Sequence, residues 1–277
     1  MERHFIERNN RMSTLSPKDR SFISALSRGL SILEAFSPSS PRLGITEIAN
    51  KTKLSKSTVF RLIHTLCTLG YIIPSAEEKK FTLGPKVLGL GFAVLSSLEL
   101  REVAQPYLQR LSQRTKETVN LAILEGWKLI YIERIKTHQI LNINLHVGSS
   151  LELFNTAMGR VLAAFQDEDW THQYLRYLDN VPEALPYQEN KGKKLLLILE
   201  EVRKNSYALN NEELTPGLRS IASPIWDRKG RVVGAVNIAV SSGLYSLQRL
   251  KKELILPLQE TTRAISQALG FKMGEHK

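Results

Sequence analysis

The 277-residue sequence holds one cysteine, Cys67, which excludes an internal disulfide and a thiolate metal cage. Its six histidines, at 4, 64, 138, 146, 172 and 276, show neither HxxxH nor HExxH spacing, so no metal or other cofactor is expected. No apolar run reaches the ~18 residues that cross a bilayer. Residues 1–20 are polar and lack the apolar core of a secretory signal. These absences point to a cytoplasmic protein that meets no membrane. Enzyme signatures are missing too: the chain has no Gly-Xaa-Ser-Xaa-Gly elbow and no Ser-Xaa-Xaa-Lys. The clustered carboxylates, Glu212-Glu213 and Asp167-Glu168-Asp169, are sequence neighbours in loops or helix starts, where they serve solvation or the helix dipole. Cys67 reads as a small core residue rather than a nucleophile.

Positive charge is what the sequence has in excess. Lys and Arg number 38 against 27 Asp and Glu, a net charge of +11. Residues 1–84 carry a net +6 and the remaining 193 residues +5, so charge density is more than twice as high at the N-terminal end. A polyanion-binding module requires that asymmetry. The length and the 42% hydrophobic content predict two globular domains.

After residues 1–20, read as a mobile tail, the pattern becomes helical. Leu26, Leu30, Leu33 and Phe36 fall at helical spacing, and Ser37-Pro38 and Pro41 stop the helix. Ile45 to Asn50 reads as a short helix capped by Thr46, with Lys53-Leu54 as a tight connection. Ser55 then supplies an N-cap for a third helix, which runs to about Leu69 and closes at Gly70. Val59, Leu62, Ile63, Leu66 and Leu69 make its buried stripe, and Lys56, Ser57, Phe60, Arg61, His64 and Thr68 its opposite face. Tyr71 to Ile73 and Phe81 to Leu83 read as a two-stranded hairpin. Together these pieces predict a winged helix-turn-helix over 22–84, whose third helix enters a major groove. Thr46, Ser55, Lys56, Ser57, Thr58, Phe60, Arg61 and Thr65 are its candidates for DNA contact.

Residues 85–98 are apolar almost all round a helix, which predicts a linker that packs against a second copy. From 99 to 270 the pattern is α+β. A helix from about Glu99 to Arg114 carries Val103, Leu108 and Leu111 inward. Val119, Leu121 and Ile123 alternate in a strand that turns at Glu125-Gly126, and Leu129 to Ile132 returns. Gln139 to Val147 reads as another strand, and helices follow near 156–165, 169–178 and 192–204. Leu218–Trp226 and Arg231–Val240 form a hairpin, and Ser246–Leu269 a closing helix kinked at Pro257. A mainly antiparallel sheet with helices packed on it is the expected architecture.

Several stretches resemble the isocitrate-lyase-regulator (IclR) family: Ser27-Arg28-Gly29-Leu30, Ile45 to Ala49, Leu54 to Thr58, Leu69-Gly70-Tyr71, Ala157 to Leu162 and Gly217 to Pro224. Within it, Leu95-Ser96-Ser97, Ala104-Gln105-Pro106 and the Gly217–Pro224 run are most similar to β-ketoadipate-pathway regulators of aromatic-acid catabolism. The resemblance implies a winged-helix DNA-binding domain joined by a linker helix to a GAF/PAS-like effector-binding domain, in a homodimer or dimer of dimers. It also implies a small carboxylic acid effector held at a helix start and by C-terminal strands. Carried residue by residue, Ala157 and Met158 take the helix-start positions, and Asn210, Ser220, Asn237 and Ala239 the strand positions. Independently of the family, a helix start after Asn155-Thr156 suits a carboxylate, and Ile140, Met158 and Ile221 are candidate apolar walls. Of the three, strand alternation turns Ile221 away from the face of Ser220.

The expected function is therefore a sequence-specific DNA-binding regulator responsive to a small acid, aromatic acids included. An RNA-binding protein with a sensor domain and a ligand-gated enzyme are the alternatives. The first needs aromatic side chains on an exposed sheet, and Trp127, Trp170 and Trp226 lie outside the basic module. The second needs a catalytic constellation that the chain does not display.

Overall fold

Short capped helices build the N-terminal unit, which spans residues up to Ser97; the second unit starts at Leu98. The structure is a computed structural model and describes residues 21–75, 79–137 and 145–272. Helix α1 (Ser24–Glu34) is followed by α2 (Ile45–Thr52) and α3 (Lys56–Thr68). Thr46 does not cap α2. Gly44 holds the N-cap position and its N–H donates to the Glu47 carboxylate at 2.7 Å, while Thr46 lies exposed inside the first turn. The carboxylate three positions on reaches the free N–H, which a hydroxyl already inside the helix does not. Lys53 turns the chain in the left-handed conformation (φ 58°), and Ser55 caps α3, its Oγ accepting from Thr58 N at 3.2 Å.

Val59 and Ile63 of α3 join Ile32, Phe36, Leu43, Ile48, Ala49 and Ile72 in one core, with Leu62, Leu66 and Cys67 on its margin. Leu69 is a correction to the expected stripe. It is the C-cap residue and 50% exposed, because Gly70 (φ 79°) leads the chain away from the core there. Strands β1 (Ile72–Pro74) and β2 (Phe81–Leu83) pair antiparallel, and Phe81 exchanges backbone hydrogen bonds with Leu43. Helix α4 (Lys86–Ser97) buries no residue within its own chain.

The second unit runs through α5 (Glu99–Thr115), β3 (Thr118–Glu125), β4 (Lys128–Ile135), β5 (Ser150–Glu152), α6 (Ala157–Ala164), α7 (Glu168–Leu178), α8 (Leu185–Asn205), β6 (Ala208–Asn211), β7 (Leu218–Trp226), β8 (Val232–Ser241) and α9 (Leu247–Ala268). The strands form one antiparallel sheet in the order β5-β4-β3-β8-β7-β6. Helices α5 and α9 cover one face and α6 the other. This double cover overrides the alternation expected in β3, where five successive residues, Thr118 to Ala122, are buried. The strand expected over Gln139–Val147 is described only at its end. Residues 138–144, with candidate Ile140, lie outside the described residues, and Leu145 to Val147 run in loop and turn. The turn is made by Ser149 N–H on the His146 carbonyl and Gly148 N–H on the Tyr131 carbonyl, and it delivers β5 to the edge of β4. Helix α8 starts at Leu185 rather than Gly192, with a proline in its first turn, and α9 runs through Pro257 as one element.

Small side chains let α6 lie close on the sheet: Ala122, Ala208, Ala222 and Ala235 face Ala157, Val161 and Ala164. Gly159 is the tightest point. A Cβ there would stand 2.3 Å from the Cα and carbonyl oxygen of Leu153. Opposite α6, Ile221, Ile238 and Val119 are completely buried.

Candidate functional site

The exposed face of α3 carries Lys56, Ser57, Phe60, Arg61, His64 and Thr65, with Thr58 half-buried beside them. The hydroxyls of Ser55, Ser57 and Thr58 cluster at the helix start, with Ser55 Oγ 3.0 Å from Ser57 Oγ and 2.9 Å from Thr58 Oγ1. Thr65 Oγ1 donates back to the Arg61 carbonyl at 3.1 Å. Phe60 is 59% exposed, an aromatic ring among basic and hydroxylated neighbours. A shallow groove runs from this face to α1, where Arg28 adds a second guanidinium next to Arg61 and His64. Arg28 and His64 were not among the residues singled out for DNA contact. Their basic side chains were the signal, but their proximity depends on how α1 and α3 pack. Cys67 sits on the inner side, and burial raises its thiol pKa, which opposes nucleophilic reactivity.

The sheet face beneath α6 holds a second, polar constellation. Cross-strand register aligns Asn210, Ser220, Ala239 and Thr118 in one row from β6 to β3. The next row holds Ala222, Asn237, Asn120 and Arg134, from β7 to β4. Asn210, Ser220, Asn237 and Ala239 are all buried, as are Ala157 and Met158 above them in the first turn of α6. Thr156 caps that turn by accepting from Gly159 N at 3.0 Å. Ile221 points to the opposite face and is no part of this wall.

Hydrogen bonds order the polar rows. Asn210 Nδ2 donates to the Asn155 carbonyl at 2.6 Å, tying β6 to the segment that leads into α6. Asn120 Nδ2 donates to Asn237 Oδ1 at 2.7 Å, and Arg134 Nη1 donates to Asn120 Oδ1 at 3.2 Å. Of the buried side-chain atoms that lack a hydrogen-bond partner among the described residues, three lie in or beside these rows: Arg134 Nε, Asn155 Oδ1 and Asn210 Oδ1. Burial lowers the Arg134 pKa, with Tyr131 acting against it, and pushes the Tyr131 phenol up to about 12. Thr118, Asn120 and Arg134 escaped the sequence reading, and Asn155 entered it only as part of the helix start. Polar residues at inward strand positions were the available signal, but their pairing across about 120 residues was not.

Nearby, Arg160 is buried on α6, where it pairs with Glu213 and donates to the carbonyls of Phe154 (3.0 Å) and Leu209 (2.8 Å). Trp127 stacks with Tyr174 and Tyr177, and Trp170 with Tyr174, at the edge of the same core, and Trp226 packs on Phe165 and Phe271. Among the described residues, no group of three His, Cys, Asp or Glu side chains is placed to hold a metal. No described helix is long and apolar enough to cross a membrane.

Comparison with known proteins brings both units under one description. The family described as "Bacterial transcriptional regulator IclR C-terminal" matches residues 92–267, and the "IclR helix-turn-helix domain" matches residues 25–73. The Pca regulon regulatory protein of Pseudomonas putida is 34% identical over 252 residues, covering 91% of this chain and 86% of that protein. The crystal structure of an IclR family transcriptional regulator from Brucella abortus superposes with a TM-score of 0.80 at 32% identity, covering 92% of this chain and 95% of that one. An IclR homolog from Microbacterium hydrocarbonoxydans, crystallised with 4-hydroxybenzoate, shares the fold with a TM-score of 0.73 at 22% identity, covering 88% and 98% of the two chains.

Proposed function

This chain belongs to the IclR family of bacterial transcriptional regulators, and from that premise we propose that its operator binding is controlled by a small carboxylic acid held beneath α6. It is a DNA-binding transcription regulator and not an enzyme. The observation that carries the acid reading is the buried polar face of the sheet. Asn210 and Asn155 keep unpartnered oxygens next to the start of α6, where the N–H groups of the first turn precede any intrahelical bond. Buried polar atoms without partners are rare in native proteins, and a bound ligand accounts for them. The Pca regulon relative and the neighbour crystallised with 4-hydroxybenzoate make aromatic acids the first to try.

On this reading Ser57, Phe60, Arg61 and Thr65 face the major groove, while Thr46, Ser55, Lys56 and Thr58 stand where the turn and helix start meet the backbone. Ala157, Met158, Asn210, Ser220 and Asn237 surround the effector, with Ala239 leaving room for it. The protein works in the cytoplasm as a homodimer, or a dimer of dimers, joined through α4. Residues 22–84, 85–98 and 99–270 act as DNA-binding domain, linker and effector domain.

Calorimetry with small carboxylic acids tests the effector site. Ser220→Ala removes one hydrogen bond and is expected to weaken acid binding roughly tenfold, leaving acid-free DNA binding unchanged. Unchanged acid affinity in both Ser220→Ala and Asn237→Ala places the site elsewhere in the domain.

A further inference from the structure

One inserted residue in β4 sets the direction of Arg134. On β3, Asn120 and Ala122 are two positions apart and share the face turned to α6. Their partners on β4, Arg134 and Tyr131, are three apart, because the register shifts by one residue at that point. In an unbroken strand, residues three apart point to opposite faces. The bulge therefore brings both Tyr131 and Arg134 to the α6 side, as bulges do where a side chain must be re-aimed. Glu133, the next residue, points the other way and pairs with Arg101 of α5 at 2.9 Å.

The re-aimed guanidinium has little to hold it. Its Nη1 donates to Asn120, its Nε is buried without a partner, and among the described residues no carboxylate pairs with it. A guanidinium carries five N–H donors, and leaving such a charge partly buried and under-satisfied destabilises a fold. Asn120 and Asn237 nevertheless hold it in place, with the Asn120 amide oriented so that its oxygen faces Arg134 and its nitrogen faces Asn237.

We infer that Arg134 is the counter-charge for the carboxylate of the effector, with Asn120 and Asn237 as positioning residues behind it. The inference rests on the reading of the sheet face under α6 as the effector site. It also orients the ligand. The Asn155 carbonyl is an acceptor, so Asn210 must turn Nδ2 toward it and leave Oδ1 to accept a hydrogen bond from something else. An acid that satisfies both ends directs its carboxylate toward β4 and a hydrogen-bond donor toward β6. The class is a hydroxy acid rather than a plain monocarboxylate.

The test uses the full chain carrying Arg134→Gln, Arg134→Lys or Arg134→Met. Without ligand, Arg134→Met is expected to raise Tm by roughly 2–4 °C, because an apolar side chain replaces an under-satisfied charge. Calorimetry then compares 4-hydroxybenzoate, 3,4-dihydroxybenzoate, benzoate, pyruvate and the neutral 4-hydroxybenzamide. The expected result is that wild type prefers the hydroxybenzoates to benzoate and to the amide. Arg134→Gln is expected to lose about ten- to a hundredfold in acid affinity, with partial recovery in Arg134→Lys. Undiminished acid binding by Arg134→Gln overturns the inference and leaves the acid-effector reading standing. A wild type that binds none of the acids overturns both. Lost binding accompanied by a lowered Tm in Arg134→Met marks a structural arginine and also overturns the inference.

Discussion

Lys56 and Arg61 differ in what they can read. Both stand on the exposed face of α3, Lys56 at its first residue and Arg61 more than a turn further on. An ammonium is a strongly hydrated point charge suited to phosphate, whereas a guanidinium can address a guanine edge through two parallel hydrogen bonds. Lys56→Ala is therefore expected to weaken binding to every duplex alike and to reduce the slope of log affinity against log salt by about one. Arg61→Ala is expected to cost about 1–3 kcal/mol on the operator and to relax preference at one base pair. Titrations of operator and scrambled duplexes over a salt series separate the two outcomes. Equal affinity for RNA, heparin and all duplexes, unaffected by either change, rejects the sequence-specific reading.

At the scale of the element, the start of α6 depends on a missing side chain. Gly159 sits against the backbone of Leu153, where a Cβ would approach to 2.3 Å, and backbone yields far less readily than the end of a side chain. Gly159→Ala is expected to destabilise the second unit by about 1–3 kcal/mol. Because it pushes the first turn of α6 off the sheet, acid affinity is expected to fall as well. Urea unfolding and calorimetry on the same variant check both effects, and a variant of native stability and affinity removes the close approach from the account. Thr46 shows the complementary lesson: a residue type that favours caps was displaced by a glycine and a glutamate whose combined geometry served the helix start better.

At the scale of the molecule, α4 is the element whose surface demands a partner. Leu88, Leu90, Phe92 and Val94 are each about half or more exposed, a density of apolar surface that water opposes. In the proposed dimer, pairing of α4 with its copy would give the two-fold axis that sets two α3 helices on two half-sites. Leu90→Glu with Val94→Glu is expected to give monomers in sedimentation and to weaken binding to a two-half-site operator far more than to a single half-site. A wild type that sediments as a monomer at micromolar concentration rules this assembly out.

Much of the molecule is determined by local pattern. The cap at Ser55, the stop at Gly70, the apolar spacing of Val59 and Ile63 and the charge excess of residues 1–84 each depend on neighbours within a few positions, so they are legible in the sequence. The hairpin of β7 and β8 is legible for the same reason, since Asp227 to Gly230 join strands adjacent in the chain. Leu69 and the alternation in β3 misled because burial is a property of what packs on top, and α6 covers β3 from nearly forty residues away. The polar site lay furthest out of reach. Asn120 meets Asn237 across 117 positions, and the bulge that turns Arg134 toward them changes strand parity without leaving a mark in composition. Tertiary pairing alone decided which face received that charge, because a single inserted residue inverts every side chain beyond it.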